Sequence, residues 1–407
     1  MHGKAALVFL LVIVLALSPL LPAEAADSTS ALFDLLERVP QMSFDDGWFG
    51  YVDYGVLLNA FPGSRQPASV ADYRSLLEEQ DWPDTMNAYR SITTGPAEFL
   101  LNLDMGERVL AESGIDLFAI ERGLVLGNPP AEQIWLEGQF EPDEVETSLL
   151  SRGYEEVQSD SGSFRIFAPD GDIAGGTAID LTQTDPAFIF GGDLGRSWPV
   201  MLSDSLIWST ADAAAVQAIA ERTETSLLAF PGLRSLLTAV DSAAGGSIGQ
   251  LHVMALPAIG FDIPDLSDPD LMLPVETGLK RDRPLSPYFA LALAQRFEDE
   301  AQWIDLALVF DSPETAKAAG DILQYRLLDA VSQRSLQSIS ESVSGMGGKR
   351  LAAVVEAADD GTGVLRIPFR FELTGPAGEP NAEGYSAFRF FMQLFLQRDI
   401  NWLRIGP

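Results

Sequence analysis

The residues able to do chemistry in this chain are few in kind. Histidine occurs only at His2 and His252, and cysteine is absent. One histidine beyond the opening residues does not make a histidine-rich zinc site. Without cysteine there are no disulfides, catalytic thiols or thiolate metal sites. Gly245-Gly246-Ser247-Ile248-Gly249 matches G-x-S-x-G. A nucleophile elbow, however, needs a strand before its serine and a helix after it, with the acid and histidine following in that order. Here the pattern predicts a helix before and a strand after, and no acid separates Ser247 from His252. The segment therefore reads as a small-residue turn entering a strand, and His252 as a half-buried strand residue. No serine lies three positions before Lys280, Lys317 or Lys349, so the S-x-x-K arrangement is missing. Gly345-Met346-Gly347-Gly348-Lys349-Arg350 shares only composition with a phosphate loop. Val343 stands where the Walker spacing needs glycine, and Arg350 where it needs Ser or Thr. It reads as a flexible lead-in to a strand.

Carboxylates remain, 59 in all. Two of them at the right separation can hydrolyse a glycoside without histidine, cysteine or metal. A carboxylate-dependent hydrolase of cell-envelope polymers is thus one functional reading, although the sequence singles out no pair. Asp262, Asp265, Asp268 and Asp270 form an acidic cluster. Hard cations take several carboxylate oxygens, which makes the four a candidate calcium-ligand set and the chain a candidate calcium-stabilised structural protein. The EF-hand Gly and Glu are missing, and a solvated acidic loop is the competing reading. Near the C-terminus, Phe388, Phe391 and Phe395 recur at helical spacing with Trp402 beyond, and Arg389 makes this end locally positive. Such a stripe either docks on a partner or membrane interface or packs on the protein's own sheet.

The elements that must position these residues alternate between strand and helix periodicity. Strands are predicted over 48–58, 134–140, 205–209 and 247–255, with a hairpin over 154–168. Helices are predicted over 96–112, 142–151, 211–222 and 231–240. After 287, two apolar runs, Tyr288–Phe297 and Trp303–Phe310, flank an acidic turn. Asp311 or Ser312 then caps a long helix that is expected to reach past Arg334, with Pro313 near its first position. A hairpin over 349–373 and an amphipathic helix over 385–397 close the chain. IWLEGQF-EPDEVE and WIDLALVF-DSPETA share a strand, an acid, a proline and a helix start, a faint internal repeat. Hairpins with helices between them indicate α+β with mainly antiparallel sheets, in two related halves. Recurrent Pro and Asp over 257–287 mark a linker or long loop between domains at 26–256 and 288–407.

The stretch GNPPAEQIWLEGQFEPDEVETSLLSRGYEEV, with SGSFRIF and LSDSLIWSTADAAAVQAI after it, resembles a pattern in exported bacterial proteins of unknown function. There, a strand with a Phe-acid-Pro helix start precedes Gly-Tyr, a short hairpin, and a strand followed by a helix. The resemblance covers residues of about 115 to 240 and rests on structural positions such as Pro142, Gly153 and Tyr154. It implies export and an α+β fold, and carries no catalytic or binding motif.

The opening residues point the same way. Lys4 precedes an apolar run, and Ala23-Glu24-Ala25 supplies an A-x-A site. These are the parts of a secretory signal peptide cut after Ala25; an uncleaved anchor is the alternative. The formal net charge of −33 repels phosphate backbones, which excludes nucleic acid as a partner. No later stretch is long and apolar enough to span a bilayer. Export without catalytic groups makes the leading expectation a non-enzymatic extracytoplasmic protein, in the periplasm, at the cell surface or secreted. It would bind a protein or envelope component through its sheet faces or an inter-domain cleft.

Overall fold

The computed structural model describes residues 28–405, apart from 45–46, 62–63, 65, 79–88, 90, 94–102, 128–131, 158–163, 177, 222–224, 244–245, 256–284, 299–300, 333–335, 375–380 and 404. Its strands are β1 (Trp48–Asp53), β2 (Ile120–Leu126), β3 (Gln133–Gly138), β4 (Tyr154–Val157), β5 (Arg165–Pro169), β6 (Val200–Leu202) and β7 (Leu206–Thr210), followed by β8 (Ser247–Ala255), β9 (Ala290–Glu298), β10 (Ala301–Phe310), β11 (Gly348–Arg350), β12 (Val354–Ala357) and β13 (Gly363–Glu372). All belong to one sheet in the order β11-β13-β10-β9-β8-β1-β2-β3-β7-β6-β5-β4, with β12 beside β13. Every ladder is antiparallel. The fold is α+β, as the alternating periodicities imply.

The expected division at 257–287 does not separate two sheets. β8 and β9, on either side of it, pair from Ser247↔Phe297 to Ala255↔Ala290, so the halves share one continuous sheet. The Pro/Asp-rich stretch itself lies almost wholly outside the described residues.

Helices cover both faces. On one, α1 (Ser28–Arg38), α6 (Ala213–Glu221) and α7 (Leu233–Asp241) bury Leu35, Val216 and Leu236. Ala290, Ala292 and Ala294 of β9 present a flat surface there, and α7 packs against β9 and β10. On the other face lie α2 (Tyr54–Ala60), α3 (Val70–Glu78), α4 (Leu103–Ser113) and α5 (Pro142–Ser151) at the N-terminal side. At the C-terminal side lie α8 (Pro313–Asp329), α9 (Ile339–Gly345), α10 (Ala382–Tyr385) and α11 (Ala387–Leu396). Burial on both faces explains the unbroken apolar runs at 290–294 of β9 and 306–310 of β10, where alternation would be expected of a half-exposed strand. Trp135 and Trp208, paired in register across β3 and β7, hold their rings 4.9 Å apart. Such aromatic pairs add about 0.5–1.5 kcal/mol beyond their burial.

Three elements differ from the periodicity. The strand expected over 48–58 stops at Asp53, whose side chain accepts from the Val56 amide at 2.9 Å and starts α2. A capping carboxylate outweighs the β-forming run after it because it satisfies a donor the helix leaves open. The helix expected over 96–112 is described from Leu103 to Ser113. The long helix α8 ends at Asp329 rather than beyond Arg334. Its chain turns back instead, with Val331 bridging Ser338 and the Ile339 amide donating to the Ala330 carbonyl at 2.9 Å. At the start of α8 the sequence was decisive. Ser312 accepts from the Thr315 amide and Pro313 follows. Ser312→Ala is expected to lower stability by about 1 kcal/mol, read as a shift of the urea midpoint with an unchanged slope; no shift would mean that Pro313 alone starts the helix.

Candidate functional site

The aromatic stripe turns inward. Phe388, Phe391, Phe395 and Trp402 are all buried, with Phe391 4.8 Å from the Phe369 ring and Phe395 6.4 Å from Trp402. Only Arg389 of that set is exposed. The docking-face reading therefore fails: α11 spends its apolar stripe on the sheet beneath it. Asp262, Asp265, Asp268 and Asp270 lie outside the described residues. Among the described residues, no three His, Asp or Glu side chains are grouped to hold a metal ion.

His252 is fully buried, not half-buried. Its ring sits 5.8 Å from both Trp48 and Phe388, and its Nε2 lies 3.0 Å from Thr93 Oγ1. Burial pulls its pKa down to about 3, and its Nδ1 has no partner. It heads a polar ladder sealed within the apolar face of the sheet. The Thr93 amide donates to Gln250 Oε1 at 2.8 Å, Gln250 Nε2 to Gln295 Oε1 at 2.6 Å, and Gln295 Nε2 to Gln302 Oε1 at 3.0 Å. Each buried amide needs such partners, so the ladder fixes strand register and tethers residues 91–93 to the sheet. The hydroxyl beside the imidazole, Thr93 Oγ1, is also held by Gln250 Oε1 at 3.1 Å, and Ser247 opens β8.

The buried carboxylates are equally committed. Asp305 sits between two arginines, accepting from Arg296 Nε at 2.8 Å and from Arg366 Nη1 at 3.0 Å. Asp53 caps α2 and accepts from Arg122 Nε at 3.1 Å. The described carboxylates whose pKa moves all move down: Glu146 through Arg165, Asp180 and Asp360 through threonine hydroxyls, and Glu341 through Ser338. A general acid requires the opposite shift.

Two cavities lie at the end of the sheet formed by β11, β12 and β13. One, of about 330 Å³, separates α7 from the 354–364 hairpin and carries Glu356, Asp359 and Asp360. The other, of about 290 Å³, lies among α8, α9, β11 and β13 and has no Asp or Glu in its lining. In a chain with 59 acids this is a chemically distinct place. Leu327, Ile339, Val343 and Phe369 supply an apolar wall, and Ser340 and Ser344 a hydroxyl rim.

Its one cation on the cavity side is Arg350. Arg350 pairs in register with Phe369, so both project to the face that α8 and α9 cover, and Arg350 Nη1 donates to the Gln324 carbonyl of α8 at 2.7 Å. Lys349 borders the cavity too, yet pairs with Arg370 and so projects to the opposite face. No carboxylate pairs with Arg350 among the described residues, and burial lowers its pKa.

The backbone that places Arg350 follows from the sequence. Ser338 and Glu341 form a capping box at the start of α9. After α9, Gly347 takes φ +75° to turn the chain, and Gly348 is held against Phe371, where a Cβ would come within 2.2 Å of a ring carbon. The Gly-rich segment thus leads into a strand as expected, through an ordered turn. β11 then ends at Arg350. Pro368 of β13 accepts from the Leu351 amide at 2.9 Å, so its missing N–H falls on that same side. The edge is left without a donor where it divides into β11 and β12. The proline inside Ile367-Pro368-Phe369 is the trace this break leaves in the sequence.

No protein-family model matches the chain. No curated protein matches it either. Among solved structures it is similar to TP0453 in crystal form IV (9% identity, 81% of this chain and 92% of that chain covered, TM-score 0.32). It is also similar to TP0453 in form I (10%, 86% and 94%, TM-score 0.33) and form III (10%, 86% and 98%, TM-score 0.31). A likeness of this degree assigns no function, and the reading of the site rests on its own residues.

Proposed function

We propose that the chain is a non-enzymatic extracytoplasmic binding protein that takes a small, apolar-bodied ligand in the cavity between α8, α9 and β11. One observation carries the reading: an acid-free cavity of about 290 Å³ with an apolar wall and a polar rim, in a chain of net charge −33. Ligand sites are concave and mostly apolar, with a few polar groups that orient the ligand, and this volume is at the small end of their range. The site lies at the sheet's edge, because helices occupy the faces expected to bind. Export is supported by the positive start, apolar run and A-x-A site of residues 1–25. Among the described residues no helix is long and apolar enough to cross a membrane.

The test uses N-phenyl-1-naphthylamine, a neutral fluorophore that brightens in apolar surroundings. It is expected to bind saturably at one site per chain. Ser344→Trp, at the exposed rim, is expected to abolish that binding while leaving the melting temperature in place. Undiminished binding by the variant would remove the cavity as the site. N-terminal sequencing of the native protein is expected to begin at Ala26; an intact Met1 in a cytosolic fraction contradicts the export reading.

A further inference from the structure

We infer that the ligand of this cavity is a single-chain anionic amphiphile, its headgroup held by Arg350 and its alkyl chain lying against Leu327, Val343 and Phe369. The inference rests on the binding reading above and adds the ligand's chemistry. Arg350 is the last residue of β11, at the point where the edge strand breaks. One of its guanidinium nitrogens is committed to Gln324, and no acid lines the cavity to neutralise the charge. Most of the other described arginines meet a carboxylate: Arg74, Arg108, Arg122, Arg152, Arg165, Arg234, Arg296, Arg366 and Arg370 all do. A partly buried guanidinium left without one has donors to offer an incoming anion, and its planar fork suits a carboxylate or phosphate. Ser340 and Ser344, one helical turn apart on α9, stand at the same opening with exposed hydroxyls able to donate to the same headgroup.

The exposed apolar residues around the cavity are an independent observation. Of the large apolar residues left exposed, Leu328, Val331 and Leu336 lie on the end of α8 and on the turn that joins it to α9, the two helices that wall the cavity. Leu351, beside Arg350, is exposed as well. A ligand with one anionic end and one alkyl end matches a cavity with Arg350 on one side and an apolar wall of Leu327, Val343 and Phe369 on the other. A doubly charged or fully polar solute would leave those walls uncovered, and a neutral one would leave the guanidinium desolvated and unpaired.

The experiment is calorimetric titration of the full chain with octanoate and, separately, with octanol, both below their aggregation limits. Octanoate is expected to bind one per chain and tenfold or more tighter than octanol, since a hydrogen bond to a charged group contributes on that scale. Arg350→Gln is expected to erase the preference, bringing octanoate down to octanol, and Arg350→Lys to restore much of it. The melting temperature of each variant shows that it is folded. Equal binding of octanol and octanoate by the native chain, or an Arg350→Gln variant that keeps the preference, would overturn the anionic class while leaving the cavity as a site. If neither ligand binds and the neutral fluorophore also fails, the binding reading falls, and this inference with it.

Discussion

Asp305→Ala is expected to destabilise the protein by about 3–5 kcal/mol, because it takes the shared carboxylate from two buried guanidinium groups. Asp305 and Arg296 are fully buried and Arg366 nearly so. Arg296 reaches Asp305 Oδ2 at 2.7 Å and also donates to the Ala243 carbonyl at 2.7 Å. Among the described residues, Arg366 has Glu356 as a further acid, at 3.7 Å. The three side chains come from neighbouring strands β9, β10 and β13, on the face where α7 packs. Removing the shared carboxylate leaves charges that water cannot reach. Replacing all three by apolar residues of similar volume removes the charges together, and is expected to recover most of the loss. Urea denaturation of Asp305→Ala and of the triple variant measures both. A single variant losing under about 1 kcal/mol would mean that water reaches the arginines, as it does in surface pairs.

The second large effect depends on pH. In the folded chain His252 stays neutral down to about pH 3, because burial disfavours the imidazolium. In the unfolded chain it takes up its proton near pH 6.5. Between these values the unfolded state holds the extra proton, so stability falls as pH falls. The loss begins at about pH 6.5 and reaches on the order of 4 kcal/mol by pH 3. Carboxylates with lowered pKa values add to acid lability at lower pH, in native and variant chains alike. His252→Phe isolates the imidazole: it keeps a ring between Trp48 and Phe388, and the Thr93 hydroxyl retains Gln250 Oε1 at 3.1 Å. The stability gap between native and variant is expected to move by about 2–3 kcal/mol in the variant's favour from pH 7 to pH 4.5. A gap that is the same at both pH values would mean that the imidazole protonates in the fold near its ordinary value.

What could be read in the sequence was local. Ser312-Pro313 and Glu141-Pro142 mark helix starts through nearest-neighbour chemistry, and both helices begin there. The apolar runs of β9 and β10 declare two-sided burial. The hairpins over 154–168 and 349–373 follow from short-range alternation, and both pair as antiparallel strands. What escaped was non-local. Gln250, Gln295 and Gln302 read as ordinary polar residues until register places them side by side, and Arg296, Asp305 and Arg366 meet only across three strands. The aromatic stripe fitted both a docking face and a core face, since periodicity gives a helix its apolar side without saying what covers it. The cavity needs α8, α9 and the broken edge together. Its sequence traces are a glycine turn, an arginine after it and Pro368, and none of them suggests a cavity alone.

Whether the cavity holds an anionic amphiphile is tested most directly by a crystal structure of the chain saturated with 8-bromooctanoate, using the anomalous signal of bromine. A single bromine peak is expected between α8 and α9 near Leu327 and Val343, with the carboxylate on Arg350. A peak elsewhere, or a complex in which Arg350 faces no carboxylate, would contradict it.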